Sequence, residues 1–137
     1  MIIADTGAIL ALVNRSDRHH RALAQLYEQT AVEWLLPWAI LPEIDYLLAT
    51  HVGPRAQDAF LEDLAEGGFN VSWGDDDEAV AAQRLLHSHR ALHMGLVDAI
   101  VITTAIKFKA RAIVTMDLRH FAAFPIPGNP AFFPRDL

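Results

Sequence analysis

The first residues of the chain, Met1–Val13, read MIIADTGAILALV. A short apolar run comes first, then Asp5, and then a run rich in Ala and Leu. A short apolar run is typical of a buried strand, and the longer Ala- and Leu-rich run is typical of a helix. The segment therefore predicts a β-strand over 1–4 that passes into a helix over 6–13, with an acidic residue at the junction.

The alternation of strand and helix continues along the chain. Further strands are predicted at 34–38, 69–73, 112–115 and 131–133. Further helices are predicted around 22–27 with Ser16 or Asp17 as its cap, at 39–50, at 55–65 with Pro54 in its first turn, at 75–90 and at 97–109, with a loop at 125–130. Alternating strands and helices predict an α/β fold, a parallel sheet with helices on both faces.

Composition and charge limit the classes of protein. The chain has 137 residues, no cysteine and a net charge of −6. We expect one domain over 1–137, in a reducing cytoplasm, with neither a signal peptide nor a membrane-spanning segment. The negative charge argues against dependence on non-specific phosphate contacts. A nucleic-acid enzyme with this charge would need metal ions or a local basic rim.

Three more acidic residues lie in apolar stretches like that of Asp5. They are Glu43 in ILPEI, Asp98 in GLVDAIVI and Asp117 in AIVTMD. Burying an unpaired charge is costly, so each carboxylate needs a partner. That partner is either a Lys or Arg side chain or a divalent metal ion that all four share.

The predicted topology brings these four acids to one edge of the sheet. Asp5 and Asp117 follow strands, and ligands of a parallel sheet bind outside the carboxyl ends of its strands. Glu43 begins a helix that leaves such an end. The helix that carries Asp98 must return the chain to the opposite edge, so its own beginning lies at the carboxyl edge.

Four carboxylates at one rim repel each other. Two charges ~4 Å apart repel by about 4 kcal/mol at an effective dielectric constant near 20, and a domain of this kind is stable by only ~5–15 kcal/mol. Either some of the groups are protonated or a cation neutralises them. Sites that offer only oxygen ligands suit hard ions, so the sequence predicts a Mg²⁺ or Mn²⁺ site.

The motifs around these acids resemble those of PIN-domain ribonucleases. They are Asp5-Thr6, the helix start Pro42-Glu43, the stretch 95–99 around Asp98 and the stretch 115–121 around Asp117. The chain is similar over nearly its whole length, and in particular to the bacterial VapC toxins of VapBC toxin–antitoxin pairs. The position after Thr6, often Ser or Asn in this family, is Gly7 here.

The resemblance implies an α/β/α sandwich around a parallel sheet of four or five strands. It implies Mg²⁺- or Mn²⁺-dependent endonucleolytic cleavage of RNA. Asp5, Asp98 and Asp117 would hold the metal directly or through water, and Glu43 would complete the site and help position the attacking water. Thr6 and Thr115 would hydrogen-bond to neighbouring carboxylates. The protein would be a homodimer, silenced by a VapB-type antitoxin whose tail covers the acidic site.

Two other functions stay open. A receiver-like, Mg²⁺-binding regulatory domain would need a Lys near the end of the last strand, and no Lys follows Thr115. A catalytically silent PIN-like interaction domain would be favoured by the loss of one acid, and all four are present. Each acid also has a structural explanation, as a helix cap, a turn residue or a first-turn acid that favours the helix dipole.

Other polar residues carry weaker signals. Asp45 lies two residues after Glu43, on a different side of the helix, and is interpreted as structural. His87 and His89 lack the spacing of a zinc hydrolase. Candidates for an RNA path are the scattered basic residues Arg15, Arg18, Arg21, Lys107 and Arg119.

Overall fold

The computed structural model describes all residues, 1–137, and has one five-stranded sheet. Every neighbouring pair of strands is parallel, and the strand order is β3-β2-β1-β4-β5. The strands are β1 (Ile2–Ala4), β2 (Trp34–Pro37), β3 (Val71–Ser72), β4 (Ala112–Val114) and β5 (Ala131–Phe133). The predicted parallel sheet of four or five strands is thus confirmed.

Seven α-helices and two short 3-10 turns connect the strands. The helices are α1 (Thr6–Val13), α2 (His20–Thr30), α3 (Ile40–His51), α4 (Pro54–Ala65), α5 (Glu78–Ser88), α6 (Leu96–Lys107) and α7 (Leu118–Ala123). Right-handed crossovers place α1–α4 on one face of the sheet and α5–α7 on the other, and the helices pack against each other in the same two groups. This is the predicted α/β/α sandwich.

Strand β1 occupies the centre of the sheet because both of its faces are covered. Its three residues are fully buried, and Ile3 lies opposite Leu35 of β2 and Ile113 of β4. Runs that are apolar on both faces are typical of parallel strands between two helical layers. The order of the strands reverses between β1 and β4, and this is the place where α/β sheets bind their ligands.

Most predicted elements are confirmed, and three differences have local causes. β3 is only two residues long, inside the predicted 69–73, and it lies at the edge of the sheet, where it pairs only with β2. Neither Ser16 nor Asp17 caps α2; Asp17 instead accepts a hydrogen bond from the backbone N–H of His19, in the turn before the helix. The predicted helix over 75–90 is shorter, since His89 leaves the helical conformation.

Helix α7 was not predicted. It has six residues, too few for a periodic pattern, and it begins at Asp117, whose carboxylate accepts a hydrogen bond from the backbone N–H of Arg119. An Asp that caps a helix in this way stabilises it by about 0.5–2 kcal/mol. No helix in the chain is both long and apolar enough to cross a bilayer.

Packing around β1 yields a stability prediction. Ile3 is fully buried, whereas Val32 is 87% exposed. Ile3→Ala should lower the free energy of unfolding by about 2–5 kcal/mol, because it leaves a cavity in the centre of the core. Val32→Ala, the control, should change it by less than about 0.5 kcal/mol. Urea denaturation measures both, and similar values for the two variants would contradict this placement of the core.

Candidate active site

The four predicted acids line one cavity at the carboxyl edge of the sheet. Asp5 follows β1, Asp117 lies just beyond β4, Glu43 is in the first turn of α3, and Asp98 is in the first turn of α6. The cavity has a volume of about 230 Å³ and is also lined by Thr6, Gly7, Val97 and Met116. The convergence expected from the topology is therefore present in the structure.

The carboxylate of Asp5 is the buried member of the set, and it is held in place from two sides. It is 8% exposed. Its Oδ1 caps α1 by accepting a hydrogen bond of 2.9 Å from the backbone N–H of Ala8, and the hydroxyl of Thr115 donates to its Oδ2. The capping role and the place in the cavity are compatible, because each carboxylate oxygen has two lone-pair sites and these hydrogen bonds use one on each.

Burial raises the pKa of the Asp5 carboxyl to about 7. The hydrogen bonds from Thr115 and Ala8 lower the pKa in part, and the nearby charges of Asp98 and Asp117 raise it further. No Lys or Arg side chain pairs with Asp5. In the absence of a bound cation, this carboxyl group therefore holds its proton up to near-neutral pH.

The hydroxyl of Thr115 can form a hydrogen bond with Asp5 whether Asp5 is ionised or protonated. Its hydroxyl lies within hydrogen-bond distance of Asp5 and 3.0 Å from the carbonyl oxygen of Asp117. When Asp5 is ionised, the single hydroxyl proton goes to Asp5. When Asp5 is protonated, Asp5 donates to the hydroxyl oxygen and the hydroxyl donates to the carbonyl. The predicted support of a carboxylate by Thr115 is confirmed.

Asp98 has a partner that the sequence did not indicate. Nδ1 of His120, on α7, donates a hydrogen bond of 2.9 Å to Oδ2 of Asp98, and both side chains are 29% exposed. The pair joins α6 to α7 across 22 residues of sequence. Asp98 is half-buried rather than fully buried.

Asp117 is bound by a guanidinium group. Arg119 donates from Nε to Oδ1 at 3.0 Å and from Nη2 to Oδ2 at 2.9 Å. These bonds hold the pKa of the Asp117 carboxyl low, at about 2. The pair is exposed, with 83% of the Arg119 and 44% of the Asp117 side chain accessible, so it adds little to stability.

Glu43 is exposed on the rim of the cavity, and its carboxylate forms neither an ion pair nor a hydrogen bond. The expectation that all four acids are buried is therefore wrong for three of them. Apolar neighbours along the chain bury the helix or strand as a whole, but a side chain at its end can still face solvent.

The acids line one cavity, yet no three acidic or histidine side chains are already arranged to hold a metal ion. The reason is visible in the contacts: Asp98 turns toward His120 and Asp117 toward Arg119. A cation at this place would have to compete with Arg119 for both oxygens of Asp117, whereas His120 contacts only Oδ2 of Asp98 and leaves Oδ1 available. The roles of Asp5, Glu43, Asp98 and Asp117 as ligands stay a prediction.

The first turn of α1 contributes two further groups to the cavity wall. Oγ1 of Thr6 is buried and has no hydrogen-bond partner, so the predicted bond from Thr6 to a carboxylate is absent. A Cβ at Gly7 would meet Met116 at 3.5 Å and Asp5 Oδ1 at 3.7 Å, which are ordinary contacts. Gly7 therefore leaves open a place that a side chain could fill.

Two of the basic residues proposed for an RNA path are already paired with carboxylates. Arg119 binds Asp117, and Nζ of Lys107 lies 2.7 Å from Asp75. Asp45 is paired with the amide of Gln57, whose Nε2 donates to it at 2.8 Å, and not with an Arg. It lies outside the carboxylate cavity, as its structural interpretation requires.

Comparisons with known proteins agree with this fold. The family model for the PIN domain matches residues 2–126. Ribonuclease VapC26 of Mycobacterium tuberculosis is 32% identical over 129 residues, which cover 93% of this chain and 96% of that protein. Among solved structures, VapC20 of Mycobacterium tuberculosis, a toxin that cleaves the sarcin–ricin loop, has a TM-score of 0.81 at 24% identity and covers 90% of this chain and 95% of its own. DNA-bound VapBC from Salmonella typhimurium has a TM-score of 0.71 at 18% identity, with 96% and 95% covered.

The raised pKa of Asp5 predicts how stability depends on pH. Between the ordinary value of 3.8 and about 7, the unfolded chain releases this proton while the folded chain keeps it, so stability falls as pH rises through that range. The difference between the two pKa values corresponds to at most about 4 kcal/mol. In EDTA, wild type should lose stability relative to Asp5→Asn between pH 4 and 8, as measured by urea denaturation.

Asp136→Asn is the matched control for this experiment. The pKa of Asp136 is lowered to about 2, so its carboxyl is ionised throughout the range from pH 4 to 8, and Asp136 lies outside the carboxylate cavity. Its variant should therefore follow the wild-type curve there. Parallel curves for wild type and Asp5→Asn would show that the buried carboxyl titrates normally.

Proposed function

This chain belongs to the PIN-domain family, and on that premise we propose that it is a metal-dependent endoribonuclease, the toxin of a type II toxin–antitoxin pair. The observation that carries the proposal is the single cavity lined by Asp5, Glu43, Asp98 and Asp117, at the place where the strand order reverses. The name of the curated relative, a ribonuclease, supports the same activity.

The residues present fit a hard divalent cation. All four candidate ligands are carboxylates, which offer oxygen donors, and the chain has no cysteine thiolate. Asp5 lacks any basic partner although it is buried, so a cation is the group that would favour its ionised form. Mg²⁺ or Mn²⁺ held by Asp5, Asp98 and Asp117, with Glu43 completing the site, would activate water and stabilise negative charge on a phosphoryl oxygen.

The surroundings of each side chain would determine its role in the reaction. Asp5 is fixed by Ala8 and Thr115, so it provides a rigid anchor at the base of the cavity. His120 fixes the carboxylate of Asp98 in the same way. Glu43, exposed and without a partner, is free to accept a hydrogen bond from the attacking water and to orient it.

A VapB-type antitoxin and a second copy of this chain are the proposed protein partners. The antitoxin proposal draws on the VapBC complexes of the same fold, such as the one from Rickettsia felis, which has a TM-score of 0.72 at 16% identity. An acidic cavity that is open at the sheet edge could be silenced by a basic side chain of such a partner. The homodimer remains an expectation from the family.

The catalytically silent PIN-like domain is the competing function, and loss of Asp98 tests it. With Mg²⁺ or Mn²⁺, wild type should cleave total cellular RNA, and excess EDTA should stop cleavage. Asp98→Asn should lower the rate by at least about 100-fold, since changing a residue that only orients a metal ligand already costs about 10–100-fold. RNA fragments are resolved on a denaturing gel.

Asp45→Asn is the control for Asp98→Asn. It makes the same chemical change outside the cavity and keeps the oxygen that accepts from Gln57. It should cleave at the wild-type rate. Cleavage that survives EDTA, or equal loss in both variants, would contradict a metal site built on Asp98. No cleavage by wild type under any metal would favour the silent domain.

The contact between His120 and Asp98 gives a prediction that does not depend on cleavage. His120→Ala should raise the Mn²⁺ concentration needed for half-maximal thermal stabilisation by about 10-fold or more, because Asp98 loses the group that orients it. His120→Asn should restore most of the affinity, since its amide N–H can donate in place of Nδ1. If Ala and Asn bind Mn²⁺ as wild type does, His120 plays no positioning role.

A further inference from the structure

A second cleft, larger than the carboxylate cavity, opens where α5 ends and α6 begins. It has a volume of about 560 Å³, within the range of roughly 300–1,000 Å³ for small-ligand pockets. The chain between the two helices forms a 3-10 turn (Arg90–Leu92), followed by His93 in the left-handed conformation, with φ of 51°. We call this the histidine–arginine cleft.

The polar lining of the cleft is free of acidic side chains. It consists of Gln83, His87, His89, Arg90 and His93, with apolar flanks that include Met94 and Leu96. This is unusual in a chain with 17 acidic and 11 basic residues. A negatively charged ligand would therefore meet no opposing carboxylate in the wall.

Three of these side chains are held by hydrogen bonds. Nη2 of Arg90 donates to Nδ1 of His87 at 3.3 Å. Nδ1 of His89 donates to the carbonyl oxygen of Leu85 at 3.1 Å, and its ring packs edge-on against Phe124 with 4.5 Å between ring centres. Fixed flat groups lose little conformational entropy when a ligand stacks on them.

Arg90 is free to bind an anion. Lys107, Arg111, Arg119 and Arg135 are each paired with a carboxylate, whereas Arg90 forms no such ion pair. Its side-chain hydrogen-bond partner, His87, lines the same cleft.

The cleft and the carboxylate cavity share the first turn of α6. Leu96 lines the cleft, and Val97 and Asp98 line the cavity. Leu96 and Val97 are consecutive residues, so the two openings border each other at this turn of the helix. A single strand that leaves the cleft therefore has only this turn to pass before it meets the cavity.

We infer that the histidine–arginine cleft binds a nucleotide of single-stranded RNA next to the phosphodiester that is cleaved. This rests on the proposed function. Single-stranded RNA offers both groups that the cleft suits: a phosphate for Arg90, and an unstacked base for the imidazole and guanidinium planes between apolar flanks. A duplex hides its bases and would use the charge alone.

The test measures binding apart from cleavage. A cleavage-deficient Asp5→Asn protein is compared with the same protein carrying Arg90→Gln, using fluorescence anisotropy of a labelled single-stranded 12-nucleotide RNA of mixed sequence and of its duplex. Arg90→Gln should weaken single-strand binding by about fivefold or more. It should also make the plot of log K against log salt less steep by about 0.7, the value for one phosphate contact on a single strand. Duplex binding should change much less.

Arg55→Gln is the matched control. Arg55 is exposed on α4, forms no ion pair and lies outside both cavities, so its loss changes the charge equally and should leave single-strand affinity unchanged. Unchanged binding by Arg90→Gln would overturn the assignment, and so would equal loss in both Arg variants or for duplex and single strand alike. A glutamate-rich peptide that binds more tightly than RNA, and only when Arg90 is present, would assign the cleft to an acidic protein segment instead.

Failure of this inference differs from failure of the proposed function. If the protein with native Asp5 cleaves RNA with Mg²⁺ or Mn²⁺ while Arg90→Gln neither weakens binding nor raises KM, only the cleft assignment is wrong. If that protein does not cleave RNA at all, the ribonuclease proposal is wrong, whatever the result for Arg90→Gln. Unchanged circular dichroism and thermal unfolding show that each variant is folded.

Discussion

The carboxyl group of Asp5 is the constraint on which the site depends. It follows the central strand, where helices on both faces exclude water, and its backbone N–H still bonds to Val114 of the neighbouring strand. A carboxylate at this depth is tolerated because Ala8 and Thr115 satisfy its oxygens, yet these bonds do not offset the cost of burying its charge. The fold thus carries a carboxyl group whose pKa is raised to about 7, and the proposed cation is the group that would favour its ionised form.

The other acids show how this chain moderates the repulsion that four carboxylates would create. His120 binds Asp98, and Arg119 binds Asp117, so two of the charges have partners of their own. Both partners come from α7, the short helix that Asp117 itself caps. One helix therefore supplies a ligand candidate, the group that orients a second one and the cation that competes for the first. A metal ion that displaced Arg119 would give up little, because that ion pair is exposed.

The strands and helices that could be predicted from the sequence are those whose signals lie close together in the chain. The apolar run, Asp5 and the helical run after it specify α1 to the residue and β1 to within one residue, and topology then places the four acids at one edge. Helix α7 was not predicted, because six residues are too few to show a periodic pattern, although its first signal, Asp117, is a residue type that often caps helices. The bond between His120 and Asp98 could not be seen, because it depends on how α6 and α7 pack. The histidine–arginine cleft could not be predicted for a related reason. The spacing of His87 and His89 indicates only that they are not paired metal ligands, and the surface that they share with His93 exists because the chain leaves the helix at His89.

The net charge of −6 appeared to argue against a nucleic-acid substrate, and the distribution of charge changes that conclusion. Several acids are neutralised locally, as when Glu33 binds Arg111 and Asp75 binds Lys107, so the total charge overstates the field that RNA would meet. Repulsion between exposed charges is screened beyond about 8 Å at physiological ionic strength. What matters is the surface beside the cavity, and there the wall from His87 to Leu96 carries no carboxylate. With a cation bound in the acidic cavity, as we propose, the adjoining acid-free cleft with its unpaired Arg would let a protein that is acidic as a whole accept a polyanion.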